Sequence, residues 1–284
     1  MLTAGTKWLQ ELSAGARRPD TGARRATYAT GGGFATGALA AGALAEWLPQ
    51  PMVLPCLVHA VLALLVLGTT AAAPERAPTR EAAPMKPPLT ARHRTTFKNP
   101  RFMCVVLPAA PAVFGAATVA YVVLPPLVAN RVPGYAPVFS GLVAALTLVT
   151  GIAVQPLATW LDHAHSARAT LAAMVTVVGG LAVGACAVHW NSARLVLTAA
   201  VLLGAGYGLT LASGLMEMDR LTPAKARPST AFLYQGATYS GFLTPLLLAL
   251  AAGAAPYHHL LAGMAAVGLL CLLITARYSR RNLP

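Results

Sequence analysis

Eight stretches of this chain carry no Asp, Glu, Lys or Arg: about 27–45, 52–72, 102–128, 137–159, 169–188, 195–216, 229–252 and 256–276. Each holds roughly the 17–25 residues that an α-helix needs to cross a hydrocarbon core about 30 Å thick. One helix that is apolar all round can be buried in a soluble protein, but eight in succession would leave no element to face water. The pattern therefore predicts an all-α transmembrane bundle of about eight spanning helices. Thr27 to Ala45 is the least apolar stretch, built mostly of Gly, Ala and Thr with only two Leu. Small residues let membrane helices approach closely, so this stretch reads as an interface helix.

Composition removes the soluble alternative. Only 10% of the 284 residues are charged, against about 25% in soluble domains. The net charge of +13 would suggest nucleic acid if the cations were spread along the chain. Instead they cluster between spans. If every span crosses, nineteen of the twenty-one Lys and Arg fall on one side, and only Arg131 and Arg194 fall on the other. This is the positive-inside asymmetry, and it sets both termini and the long connection in the cytoplasm. The cations read as topology signals and contacts to the anionic lipid of the bilayer. No nucleic-acid partner is expected.

No catalytic constellation is visible, and an enzyme is not expected. The carboxylates nearest the spans stand at their edges: Glu46 at the outer edge of the first, Glu217 and Asp219 at the inner edge of the sixth. The four cysteines lie in or beside spans without metal-type spacing and read as small apolar packing residues. His59 reads as a hydrogen-bonded packing residue. The pairs His163/His165 and His258/His259 lack a third ligand, so neither metal nor cofactor is expected. The first 26 residues lack the long apolar run of a cleavable signal peptide.

Residues 73–101, rich in Pro, Ala and Arg, form the one long linker. They divide two spans (1–72) from six (102–284). The six fall into two sets of three, as in transporters built from repeats. The first helix of each set carries helix-weakening residues: Pro108, Pro111, Gly115 and Pro125 in one, Gly204, Gly206, Gly208 and Gly214 in the other. Matched weak helices point to a substrate path, and simple helix packing explains the glycines equally well. Among polar side chains inside spans, Tyr121, Tyr207, Tyr234, Gln235, Thr238 and Tyr239 stand out as candidate substrate-binding residues. Tyr234, Thr238, Gly241 and Pro245 share one helix face, which suits a largely apolar ligand with few polar anchors. Taken singly, each hydroxyl is as well explained by a bond to a neighbouring helix.

The run Gly204-Ala205-Gly206-Tyr207-Gly208, then Glu217 and Arg220, then Phe232 to Pro245, resembles the tenth and eleventh helices of drug-efflux-type bacterial transporters of the major facilitator superfamily. On this resemblance the chain corresponds to the last eight of that family's twelve helices. Residues 1–72 would be a remnant of the N-terminal bundle, 73–101 the central cytoplasmic loop, and 102–284 the C-terminal six-helix bundle. The resemblance implies alternating access, a bacterial inner-membrane location and a small amphiphilic or apolar substrate. Gly33, Gly37 and Gly42 resemble the glycine- and proline-rich motif on the fifth helix of the family's antiporters, with Ala38 where that motif has proline. This implies export and, with Gly204, Gly206 and Gly208, close helix interfaces. Gln155-Pro156 through Asp162 and Arg168 occupy the place of a cytoplasmic gating motif, with His163 and Pro156 departing from its pattern. Asp162, Arg168, Glu217 and Arg220 are the expected gating group. Carboxylates that couple a proton in this family often lie on its first or fourth helix, which this chain lacks, so a coupling proton has no visible site.

Met1 to Leu12 reads like the tail of a missing fourth helix, so the expectation is a truncated transporter lacking roughly four helices and inactive alone. The alternatives are a half-transporter that takes its missing helices from a partner chain, and a non-transporting membrane scaffold.

Overall fold

The computed structural model describes residues 21–71, 99–162, 166–221 and 234–282. Met1 to Leu12, nearly all of the 73–101 linker, His163, His165 and Phe232 lie outside the described residues. The described residues form eight longer helical segments, a short 3-10 turn at Ala129–Arg131 and no strand. These are α1 (Thr21–Trp47), α2 (Leu54–Ala71), α3 (Phe102–Leu127), α4 (Ala136–Leu161), α5 (Arg168–His189), α6 (Ala193–Leu221), α7 (234–251) and α8 (Tyr257–Asn282). Five of them, α3, α4, α5, α6 and α8, are long and apolar enough to cross a membrane. α1 has the length but is diluted by Gly, Ala and Thr, α2 is apolar but shorter, and α7 is broken.

Prolines decide where helices break. Proline has no N–H to donate, and its ring collides with the carbonyl four residues back. In α3 the chain widens into π-turns at Phe102–Val106 and Val119–Val123, just ahead of Pro108 and Pro125. Leu107 N–H donates to Phe102 O and Leu124 N–H to Val119 O, which keeps the backbone bonded up to each proline. An apolar surrounding demands that satisfaction. In α7 the 3-10 turn Ser240–Leu243 plays the same part ahead of Pro245.

α6 corrects the expectation of two matched interrupted helices. It runs unbroken for 29 residues through all four glycines. Glycine weakens a helix by about 1 kcal/mol relative to alanine but keeps its hydrogen bond, and here packing offsets the cost. A Cβ on Gly204 would lie 3.0 Å from Thr147 Cα of α4, and one on Gly208 2.7 Å from Gly151 Cα. Gly206 points instead to α5, where a Cβ would lie 3.2 Å from Val177 N. The short run Gly204 to Gly208 therefore serves two interfaces at once. α6 also continues past the expected end at 216, drawing Glu217, Asp219 and Arg220 into the helix.

α6 is the hub, packing against α3, α4 and α5. α8 lies on α5, α7 on α3, and α1 on α4, while α2 rests mainly against α1. Leu124, Val143, Val196, Leu203 and Leu261, from α3, α4, α6 and α8, lie at the centre of the largest core. α1 meets α4 along small residues: a Cβ on Gly42 would lie 3.2 Å from Gly141 Cα, and Gly31 sits under Ile152. Ala35 is buried on the same stripe.

Candidate functional site

A chain of ion pairs closes one end of the bundle. Glu217, in the last turns of α6, is only 3% exposed, and a carboxylate so buried requires partners. Arg101, immediately before α3, supplies a fork: its Nε donates to Glu217 Oε2 at 2.6 Å and its Nη2 to Oε1 at 2.8 Å. Arg220 donates through Nη1 to the same Oε1 at 3.2 Å and through Nη2 to Asp162, just past the end of α4. The order Arg101–Glu217–Arg220–Asp162 alternates in sign and ties α3, α4 and α6 together. The hydrogen bond to Glu217 holds the Arg101 guanidinium more firmly protonated than usual, against the opposing effect of burial.

Next to Glu217 runs a crevice, lined in part by Thr170, Thr210, Ser213 and Tyr234 and too narrow for a water molecule. The hydroxyls of Thr210, Ser213 and Tyr234 are spent on helix carbonyls. Thr210 Oγ1 donates to Gly206 O at 2.6 Å, and Tyr234 Oη donates to Thr210 O at 3.0 Å.

Nearer the middle of α3 and α6, four rings from three helices meet. The Phe114 ring of α3 stacks on Phe242 of α7 with centroids 4.4 Å apart and on Tyr239 at 5.3 Å. Tyr207 of α6 stands 6.1 Å from Phe114. Glycines permit this approach. A Cβ on Gly115 would lie 3.8 Å from Gly241 Cα, and one on Gly241 3.0 Å from Phe114 C. Tyr207 in turn lies over Gly151, where a Cβ would come within 2.8 Å of its Cε1.

A family model described as Major Facilitator Superfamily matches residues 1–245. The chain belongs to that superfamily. No curated protein and no solved structure matches it. Membership, together with the apolar helices, makes this a multi-pass membrane protein of a transporter family.

The superfamily fold brings some of the expected site residues together and separates others. Asp162, Glu217 and Arg220 join in one network, while Arg168 stands exposed at the start of α5, outside those ion pairs. Tyr207 and Tyr239 belong to the ring cluster, and Tyr121 is half-buried in the second π-turn of α3. Tyr234 is 1% exposed and Thr238 fully buried, the latter donating to Gln235 O at 2.8 Å, so both sit inside the packing rather than on an open wall. Gln235 is half-buried. Gly42 touches α4, whereas a Cβ on Gly33 or Gly37 would meet nothing within 4 Å among the described residues. These two lie off the stripe formed by Gly31, Ala35, Ala38 and Gly42, because helical periodicity turns them to the other side.

Three residues of the site escaped sequence reasoning. Arg101 was the last cation of the linker, and its signal was its place one residue before an apolar run. Phe114 and Phe242 looked like ordinary apolar residues; each adjoins a glycine, Gly115 and Gly241, that marks a close crossing. At the opposite end of the bundle, Glu46 Oε2 accepts from Val138 N–H at 3.4 Å, in the first turn of α4. A carboxylate there complements the helix dipole.

Proposed function

We propose that this transporter-family chain exports small amphiphilic or apolar molecules by alternating access. The observation that carries this reading is that one helix, α6, holds both Tyr207 of the ring cluster and Glu217 of the ion-pair chain. Ten residues at about 1.5 Å each separate them by about 15 Å. Making or breaking the ion pairs at one end therefore tilts the wall that carries the rings. Residues 1–72 and 102–284 are the two bodies that rock, joined by the linker 73–101. The one-sided cations support cytoplasmic termini and hence a cytoplasmic place for the ion pairs, which act there as the inner gate. The small-residue seam between α1 and α4 supports a seal against leak, the mechanical requirement of an exporter.

A second reading, a half-transporter completed by a partner chain, is favoured by the exposed small-residue face of α1 at Gly33, Thr36 and Gly37. Small residues gain little against lipid, whereas against another helix they allow close approach.

The test is transport in reconstituted vesicles, following amphiphilic probes in both directions. Gradient-driven movement of a probe, reduced in an Asp162→Asn variant, is the expected result. Absence of movement for every probe sinks the transport reading, unless co-purification yields a partner chain whose addition restores it.

A further inference from the structure

His258 and His259, a bare pair along the chain, gain a third imidazole in the fold. His189 closes α5, and its ring centroid stands 5.1 Å from that of His258, which in turn lies 4.3 Å from that of His259. The last two belong to the first turn of α8. His258 is half-buried, while His189 and His259 are exposed. Among the described residues no three His, Cys, Asp or Glu converge as a metal ion requires, so the cluster has to be read through its own charge.

No acid balances that charge. At this end of the bundle α5 and α8 meet each other and the ends of α3, α6 and α7. The other titratable groups there are Cys186 one turn back on α5, Tyr257 beside His258, Arg194 at the start of α6 and Arg131 just past α3; the end of α7 brings none. Glu46, the acid at the same end, is turned to the first turn of α4. Histidine takes up its proton around pH 6.5, so acid charges this cluster without a counter-ion. Charging both His189 and His258 sets two cations on rings 5.1 Å apart, one of them in the first turn of a helix, the end that favours anions.

α8 is also attached unevenly. Near its C-terminus Thr275 Oγ1 donates to Cys104 O of α3 at 2.9 Å, and Ser279 Oγ accepts from Ala167 N–H at 3.4 Å. Midway, a Cβ on Gly268 would lie 3.1 Å from Val178 Cγ2 of α5. Toward the N-terminus the buried residues are Leu261 and Ala265, and beyond them come the imidazoles. Apolar side chains gain little by leaving lipid for another helix, so this end of α8 is the weakly held one.

We propose that His189, His258 and His259 form an acid-released clasp between α5 and α8. Neutral, the rings pack and hold the N-terminal end of α8 on the bundle. Charged, they repel and swing that end away from α5, while the hydrogen bonds at Thr275 and Ser279 keep the other end in place. The clasp stands apart from the transport reading and needs no substrate.

The test measures two distances by spin labels in the full chain, with its four native cysteines replaced by alanine. One pair is Ala182→Cys on α5 with Ala262→Cys on α8; the control pair at the opposite end is Arg168→Cys with Arg277→Cys. All four sites are exposed. Between about pH 7.5 and about pH 5 the first distance should lengthen by about 5 Å, the scale of one helical turn, with the control distance unchanged. The triple variant His189→Gln, His258→Gln, His259→Gln should keep the short distance at both pH values. His189→Arg with His258→Arg, charged throughout, should show the long distance already at the higher pH. An unchanged first distance, a lengthening that survives the triple variant, a short distance in the double arginine variant at both pH values, or equal lengthening of the control pair overturns the clasp.

Discussion

Arg101 and Glu217, 116 positions apart in sequence, meet in a two-bond fork of 2.6 and 2.8 Å that joins the start of α3 to the end of α6. Removing one member of a buried pair strands the other, at a cost of about 3 kcal/mol. Glu217→Gln should therefore lower the unfolding temperature of the detergent-solubilised protein markedly. Arg101→Lys keeps the charge but loses the planar fork, and should fall between wild type and Glu217→Gln. Equal stability of all three would show that the fork contributes nothing.

The pH dependence of this pair has a definite sign. The hydrogen bond to Glu217 raises the Arg101 pKa on folding, so its contribution is complete at neutral and mildly alkaline pH and is lost only as pH rises through the raised folded-state value. The stability difference between wild type and Arg101→Ala should be level from about pH 7 to pH 10. A difference that shrinks with rising pH across that window contradicts the assignment.

Glycines that look alike in sequence should differ sharply on substitution. Gly208→Ala would force a Cβ against Gly151 of α4 and separate two packed backbones. Overpacking of this kind costs about 1–3 kcal/mol. Gly37→Ala meets open space among the described residues and should be neutral or slightly stabilising. Folded yield by gel filtration distinguishes the two, and similar losses at both positions would count against the α4–α6 contact.

Tyr234 separates packing from ligand contact. Its hydroxyl bonds to Thr210 O within the bundle. Tyr234→Phe should cost about 1 kcal/mol of stability and leave transport of the amphiphilic probes unchanged. A selective loss of transport, with stability kept, would instead place Tyr234 on the substrate.

Orientation can be read directly by cysteine labelling from each side of intact cells. Cysteines placed at Arg92 and Arg131 should react from opposite compartments. Labelling of both from one side would overturn the proposed topology.

Much of the fold was legible because lipid imposes simple conditions. Uncharged runs long enough to cross it must become helices, and α3, α4, α5 and α8 begin and end within about three residues of the expected bounds, apart from the extended end of α8. Helix continuity was harder to read. Proline and glycine both lower helix propensity, but only proline removes a donor, so α3 and α7 break while α6 does not. Likewise, Gly33, Gly37 and Gly42 resemble one motif as a string, yet the rotation of α1 turns Gly42 alone onto α4.

The sequence by itself determined which segments are apolar, how their cations are distributed and which superfamily the chain belongs to, because these depend only on composition and order along the chain. Tertiary structure decided the partners. Arg101 and Glu217 pair, and Phe114 reaches Tyr239 and Phe242, because helices distant in the chain cross where glycines leave room. The depth and rotation of such crossings arise from side-chain packing between helices, which no single segment encodes.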